Sequence, residues 1–391
     1  MPSIAQHIVA VPGSGIRRIY EIAVELDEVI SLGIGEPDQP VAPHILAAGA
    51  KAWADDRSNY TANGGISELR HAIVEKLARE NSISADLEQV WVTVGATQAL
   101  NQAMRVLLAT GDEVLVPDPG YTTFTMNARM LEVEPVPYSL RPEHGFAPDI
   151  DELERLVTDR TRLIIVNSPS NPLGIVLDEA KQRELLEFAK RHDLWVLSDE
   201  VYEYFTYGEK HVSLASLDDD DRVFSVFSLS KTYSMTGIRV GYLVTPPGLS
   251  SVMRNVQEAT ISSVALPDQL AAVAALTGDH QHVADARTHY LANLDAACAL
   301  LDERGIRYLK PNGAFYLWVD VSHATDGDVA GWAERFLRHE RVAVAPGSAF
   351  GRSGEGWIRV CAAATEVDFL EGLRRLPVPD SGVSPPKTLA S

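Results

Sequence analysis

Between residues 90 and 227, short apolar runs alternate with amphipathic helical patterns. The runs are Val90–Val94, Val114–Val116, Leu163–Val166, Leu194–Leu197 and Val223–Phe227. Each is too short for a helix, rich in Val, Ile or Phe, and bounded by polar or turn residues, which reads as a strand. Thr97–Ala109 follows the first run as a helix, and Glu179–His192 separates two later runs as another. Upstream, Leu69, Ile73 and Leu77 recur every four residues on one helix face. Strand–helix–strand alternation of this kind predicts a mostly parallel sheet covered by helices on both faces.

After about residue 280 the texture changes. His282–Arg304 reads as a long helix with Tyr290, Leu294, Ala297 and Leu301 on one stripe, closed by Gly305. Val329, Trp332, Ala333, Phe336 and Leu337 have the spacing of a helix lying on a sheet. Strands at Ala314–Val319 and Trp357–Val360 complete an α+β unit. The fold class is therefore α/β, a large domain followed by a smaller one, in keeping with 391 residues. Pro377–Ser391, rich in Pro and Ser, reads as a disordered tail with no core to join.

Composition narrows the function. Lys and Arg number 34 against 54 Asp and Glu, a net charge of −20. That balance disfavours nucleic acid and anionic membrane as partners. The apolar stretch 264–276 is broken by Pro267, Asp268 and Gln269, so no membrane span is expected. Two cysteines, Cys298 and Cys361, give no disulfide framework, and residues 1–20 lack a secretory leader pattern. A cytoplasmic protein is expected. The Asp218–Asp221 run reads as a solvated loop, and His192, His211, His280 and His282 lack metal-ligand spacing, so no metal is expected.

Ligands of such sheets bind at the carboxyl ends of the strands. Gly95-Ala96-Thr97 opens a helix there, a place for an anion. The other strand ends deliver Tyr121, Asn171, Asp199 with Tyr202, and Ser228 with Lys231, while Arg239 precedes the apolar run Val240–Val244. Singly, each has an ordinary explanation as a tight turn, a helix cap, a surface lysine or a core phenol. Together they form the inventory for pyridoxal 5'-phosphate. Its phosphate wants a helix N-terminus, hydroxyls and an Arg, its ring an aromatic face, its pyridine nitrogen a carboxylate and its aldehyde a lysine.

Seven markers in order then carry a resemblance. They are Ser31–Asp38; Tyr60 with Gly65 and Glu68–Arg70; Asn171-Pro172-x-Gly174; Ser198-Asp199-Glu200-x-Tyr202; Ser228-x-Ser230-Lys231 with Gly237-x-Arg239; Pro311-x-Gly313–Tyr316; and Pro346-Gly347-Ser348-x-Phe350 with Arg359. From about Ile16 to Leu376 the chain resembles the pyridoxal-phosphate-dependent aminotransferases of fold type I, class I/II. The resemblance implies a seven-stranded, mostly parallel sheet in a large domain over 46–282, and a small α+β domain from 1–45 and 283–376. It implies Lys231 as the Schiff-base lysine, Asp199 on the pyridine nitrogen, Tyr202 and Asn171 on the ring hydroxyl and Tyr121 stacked on the ring. Ala96, Thr97, Ser228 and Arg239 would hold the phosphate, joined by Tyr60 from a neighbouring subunit, hence a homodimer. Arg359 would grip the substrate α-carboxylate, and Gly35 and Asn171 would line the substrate site. Three positions depart from the usual wording, with Leu173 for a Thr, Ile238 for a Trp and Cys361 for a Ser.

The implied reaction is ping-pong transfer of an α-amino group from an aromatic or aspartate-like L-amino acid to a 2-oxo acid, with 2-oxoglutarate as the expected acceptor. The alternative is another reaction on the same fold, such as a cysteine-S-conjugate β-lyase. A transcription regulator would carry a DNA-binding module ahead of the fold, which here begins by about Ile16, so an enzyme is expected. Ile16–Tyr20 should lie over the substrate pocket, its Ile and Tyr favouring apolar side chains. A dicarboxylate needs a second cation, for which Arg17, Arg18, Lys51, Arg105 and Arg129 are candidates that the sequence does not separate.

Overall fold

Seven strands form one sheet: β1 (Val90–Thr93), β2 (Glu113–Asp118), β3 (Glu134–Ser139), β4 (Thr161–Asn167), β5 (Trp195–Asp199), β6 (Val223–Ser228) and β7 (Gly241–Val244). Their spatial order in the computed structural model is β1-β7-β6-β5-β4-β2-β3. The structure describes residues 2–208 and 210–379. The tail expected over 377–391 thus falls, from residue 380 onward, outside the described residues.

The β3–β2–β4–β5–β6 pairings are parallel, whereas β7 runs antiparallel to both β6 and β1. Residues 229–240, between β6 and β7, contain one short helix, Leu229–Thr232, and turn the chain straight back instead of crossing the sheet. The start of β7 therefore lies at the edge where the other six strands end.

Alternate residues of the strands enter different cores, as the period of two requires. Val114, Val116, Leu163, Ile165 and Leu197 pack with Ala99, Leu100, Ala103 and Met104 of helix Gly95–Leu107. Leu115, Ile164, Val166 and Val196 pack with Leu185, Leu186 and Phe188 of helix Glu179–Arg191 on the opposite face. Leu173, the departure from a family Thr, is fully buried in this second core.

A second sheet is antiparallel, with Ala345–Pro346, Trp357–Cys361, Tyr316–Asp320 and Tyr308–Leu309 in that order. The long helix Gln281–Glu303 and helix Val329–Glu340 cover it, with every residue of both expected stripes buried. Ile19 and Ile22 of the early helix Gly15–Ala23 join this core, and Ile30–Ser31 pairs in parallel with Val342–Ala343. The early segment is thereby stitched to the late one.

One local expectation differs from the structure. The strand expected from Ala314 begins at Tyr316, because Ala314 adopts φ +54° in a turn where its N–H donates to the Phe205 carbonyl at 2.8 Å. Asp218–Asp221 is a loop with Asp219–Asp221 exposed, as expected, and its first residue is tied down. Asp218 accepts from the backbone N–H groups of Arg222 and Val223, and Asp219 pairs with Lys190. Among the described residues no helix is long and apolar enough to cross a membrane.

Candidate active site

A cavity of about 500 Å³ opens at the carboxyl edge of the large sheet, between it and the second sheet. At one end lies an anion cradle. Helix Gly95–Leu107 presents its N-terminus there, and Gly95 holds φ +72°. A Cβ on Gly95 would stand 2.4 Å from Nη2 of Arg239, and one on Gly241 would stand 2.8 Å from the Ala96 nitrogen. Two glycines thus let the helix start, the head of β7 and the Arg239 guanidinium converge. Arg239 donates from Nη1 to the Thr236 carbonyl at 2.7 Å and, more weakly, to Ser230 Oγ at 3.4 Å. Ser228, which ends β6, caps the following turn by accepting from the Ser230 N–H at 3.1 Å.

The floor comes from adjacent strand ends. Asn167 of β4 sits beside Asp199 of β5 in register. Asn167 donates from its side-chain amide to the Asp199 carbonyl at 3.0 Å and accepts from the Asn171 N–H at 2.8 Å. The Asp199 carboxylate, 3% exposed, accepts from the Val201 N–H at 3.3 Å. Burial, with the nearby Glu200 charge adding to it, pushes Asp199 up to about 7. Lys231 points into the same cavity and donates to the Gly35 carbonyl at 2.6 Å. Desolvation, together with the positive charges of Arg359 and Arg239, pulls its amine down to about 8.

The wall opposite the sheet is built around Arg359, 2% exposed on strand Trp357–Cys361. Its guanidinium lies 4.2 Å from the Tyr316 ring centroid and 4.9 Å from that of Phe350. It donates to Asn171 Oδ1 and to the Gly33 carbonyl, both at 2.7 Å, and its Nε has no partner. None of these neighbours carries a negative charge. The Tyr202 and Tyr316 hydroxyls are 2.7 Å apart, and burial raises both phenols above their usual value. A Cβ on Gly35 would meet the Tyr316 hydroxyl at 2.0 Å, so only glycine fits there.

Gly35, Ala96, Thr97, Tyr121, Asn171, Asp199, Tyr202, Ser228, Lys231, Arg239 and Arg359 all line this one cavity. Tyr60 does not; its side chain is 92% exposed, outside the cavity of its own chain. Ile16, Arg17 and Tyr20 line it as well. Cys361 is buried close enough to act electrostatically on Lys231, and burial raises its thiol. Sequence reasoning missed Tyr316, Thr236 and Ser230 as lining residues. Tyr316 ends the Pro311-x-Gly313–Tyr316 motif, and the glycine at 35 is the sequence signal that a bulky group comes close.

The family model for aminotransferase class I and II matches residues 27–376. The chain belongs to this family. It is 34% identical over 377 residues to an aspartate aminotransferase of Pyrococcus horikoshii, covering 95% of this chain and 96% of that one. It is 36% identical to aromatic-amino-acid aminotransferase 2 of Thermococcus litoralis, covering 93% and 94%. The structure of Thermus thermophilus aspartate aminotransferase with maleate superposes with a TM-score of 0.90 at 32% identity, covering 96% and 99%. The architecture is that of the fold type I aminotransferases, and the chain is a pyridoxal-phosphate-dependent aminotransferase.

The cavity fits that cofactor on its own chemistry. An arginine and a helix N-terminus converge where glycines leave room for a dianion. A buried carboxylate with no cation in direct contact among the described residues faces the same space, matching a ring N–H⁺. A lysine with a depressed pKa stands beside it.

Proposed function

We propose that this aminotransferase moves the α-amino group of an aromatic or aspartate-like L-amino acid to a 2-oxo acid, with 2-oxoglutarate as acceptor, in a ping-pong cycle through a Lys231 Schiff base. The reading rests on Arg359, a buried guanidinium held by neutral groups in the same cavity as Lys231. Such a charge is stable only if an anion completes it, and its planar fork suits a carboxylate. The relatives named for aspartate and for aromatic amino acids support the two donor classes.

When bound, pyridoxal phosphate supplies an aldehyde for the amine and an electron-withdrawing ring that acidifies the substrate Cα–H. Ala96, Thr97, Ser228 and Arg239 would hold its phosphate, Tyr121 would cover its ring, and Asp199 would accept from its ring N–H. Tyr202 and Asn171 would donate to its ring hydroxyl. Arg359 fixes the substrate α-carboxylate, with Gly35 and Asn171 lining its place. Nζ of Lys231, neutral above about pH 8, would take the proton from Cα and, now an acid, would give it to the former aldehyde carbon of the cofactor rather than back to Cα. Asn167 holds both Asn171 and the Asp199 backbone, so the carboxylate-binding and ring-binding sides keep one geometry.

The chain would act as a homodimer, with Tyr60 of the partner subunit reaching each phosphate; its exposure outside its own cavity supports this. The separate sheets support a large domain over 46–282 and a small one from 1–45 and 283–376.

The test is a half-reaction. Holoenzyme mixed with phenylalanine or aspartate, without acceptor, should form one equivalent of 2-oxo acid per site and lose its visible band, and 2-oxoglutarate should restore the band. Ammonia release with the band restored and no acceptor added would identify a lyase instead.

A further inference from the structure

Two buried carboxylates follow one another where β5 ends, Asp199 at 3% exposed and Glu200 at 1%. Successive side chains of an extended segment point to opposite sides. Asp199 lines the cavity, and Glu200 does not. The proposed reaction makes no use of Glu200, yet burying its charge is costly unless something compensates it.

The two acids have unlike surroundings. Among the described residues Asp199 accepts one long bond, from the Val201 N–H at 3.3 Å. Glu200 is well supplied with donors. Ser198 Oγ donates to its Oε1 at 2.9 Å. His211 Nε2 lies 2.8 Å from its Oε2 and is the donor there, since a carboxylate only accepts. Asn81 directs its side-chain N–H groups to Ser213 Oγ at 2.7 Å and to Glu203 at 2.6 Å. Ser213 thereby keeps its own hydrogen for Glu200. Burial alone would raise Glu200, but His211, and then Ser213 and Ser198, hold it below the usual carboxylate range. The next charges out, Glu203 and Lys76, pair with each other and add little net field. Glu200 is therefore a standing negative charge behind Asp199. That charge adds to burial in raising Asp199, while Lys231 works against it.

We infer that Glu200, fixed by His211, is a positioning residue that acts through Asp199: its buried negative charge strengthens the hold of Asp199 on a ring N–H⁺. The inference rests on the placement of Asp199 at the ring nitrogen. Neighbouring acids whose surroundings push them apart take different roles. Here one is satisfied by donors and stays charged, and the other awaits a cation. A ring N–H⁺ entering the cavity meets the field of two carboxylates and touches one. Glu200 lies outside the cavity, so it adds its charge without competing for the ring.

The experiment uses full-length protein carrying ¹³C at the aspartate side-chain carboxyls, as wild type, Glu200→Gln and His211→Gln. Asp199→Asn identifies the Asp199 signal by its loss. In cofactor-free wild type the Asp199 carboxyl should titrate at about pH 7. Glu200→Gln should weaken its proton affinity about tenfold, moving the midpoint about one pH unit down. His211→Gln keeps the carboxylate and a donor, and should leave the midpoint in place or raise it. Holoenzyme gives the second readout. Glu200→Gln should lower kcat with phenylalanine about tenfold and keep KM within about twofold, because the Arg359 wall is untouched. An unmoved midpoint or an unchanged kcat in Glu200→Gln would overturn the inference. So would an equal fall of the midpoint in His211→Gln, which would mean that packing and not charge is at work. If Glu200→Gln does not fold, the direction of the His211→Gln shift decides alone. If Asp199→Asn holoenzyme keeps the wild-type rate, the ring-nitrogen reading is what fails, and the titration still decides whether Glu200 acts on Asp199.

Discussion

Nζ of Lys231 donates to the backbone carbonyl of Gly35 at 2.6 Å, across 196 positions of sequence. The bond ties the turn after β6 to the early segment that Ile30–Ser31 anchors to Val342–Ala343. At the same glycine the Tyr316 hydroxyl comes so close that a Cβ would stand 2.0 Å away. Lysine, glycine and tyrosine therefore depend on one another for position.

Gly35→Ala should lose most activity by displacing Tyr316, with its hydroxyl bond to Tyr202, and the Lys231 contact. In a Tyr316→Phe background the same alanine should do less damage, because the hydroxyl is gone, although a ring carbon would still lie 2.8 Å from the new Cβ. Steady-state kinetics of both singles and the double would show this coupling. Strictly additive losses would contradict it.

Asp199→Asn should separate stability from activity. Asp199 is raised from 3.8 to about 7, so folding of the cofactor-free protein takes up a proton between about pH 4 and 7. Stability therefore falls as pH rises through that window, by a few kcal/mol in order of magnitude. Cofactor-free Asp199→Asn should melt above cofactor-free wild type at pH 8, and the gap should close toward pH 4. The holoenzyme variant should nevertheless lose at least about a hundredfold in rate, because it lacks a carboxylate for the ring N–H⁺. A variant melting below wild type at pH 8 would show that the carboxylate is not an uncompensated charge.

Gly95→Ala should act on the cofactor. Its φ of +72° is strained for any Cβ, by about 1 kcal/mol, and the new atom would press on Arg239. The guanidinium is the far end of a flexible side chain and can give way, so the protein should fold with only a slightly lower Tm. Its displacement from the cradle should raise the Kd for pyridoxal phosphate about tenfold or more, read by equilibrium dialysis. Unchanged affinity would remove Arg239 from the phosphate site.

Much of this site was legible because its residues follow directly on apolar runs. Asp199 ends β5, Asn171 lies in the turn after β4, and Lys231 lies just past β6, so strand periodicity alone brings them to one edge. Arg239 reaches that edge for a different reason: β7 runs backwards, which a mostly parallel reading did not specify. Tyr316 comes from another sheet, and its approach depends on the turn at Ala314, whose positive φ no propensity announces. Arg17 lines the cavity whereas Arg18, Lys51, Arg105 and Arg129 do not, a difference that no sequence spacing carries. The role proposed for Tyr60 would involve a second chain, which a single sequence does not align.

In the proposed reaction Lys231 moves the Cα proton in the cavity where Arg359 holds the carboxylate. The most direct measurement is loss of the Cα–¹H NMR signal of phenylalanine in D₂O, catalysed by wild-type holoenzyme and by Lys231→Ala reconstituted with cofactor. Wild type should wash the proton out, and the variant should be slower by several orders of magnitude while still binding the amino acid. Wash-out at a comparable rate in Lys231→Ala would show that another group moves the Cα proton.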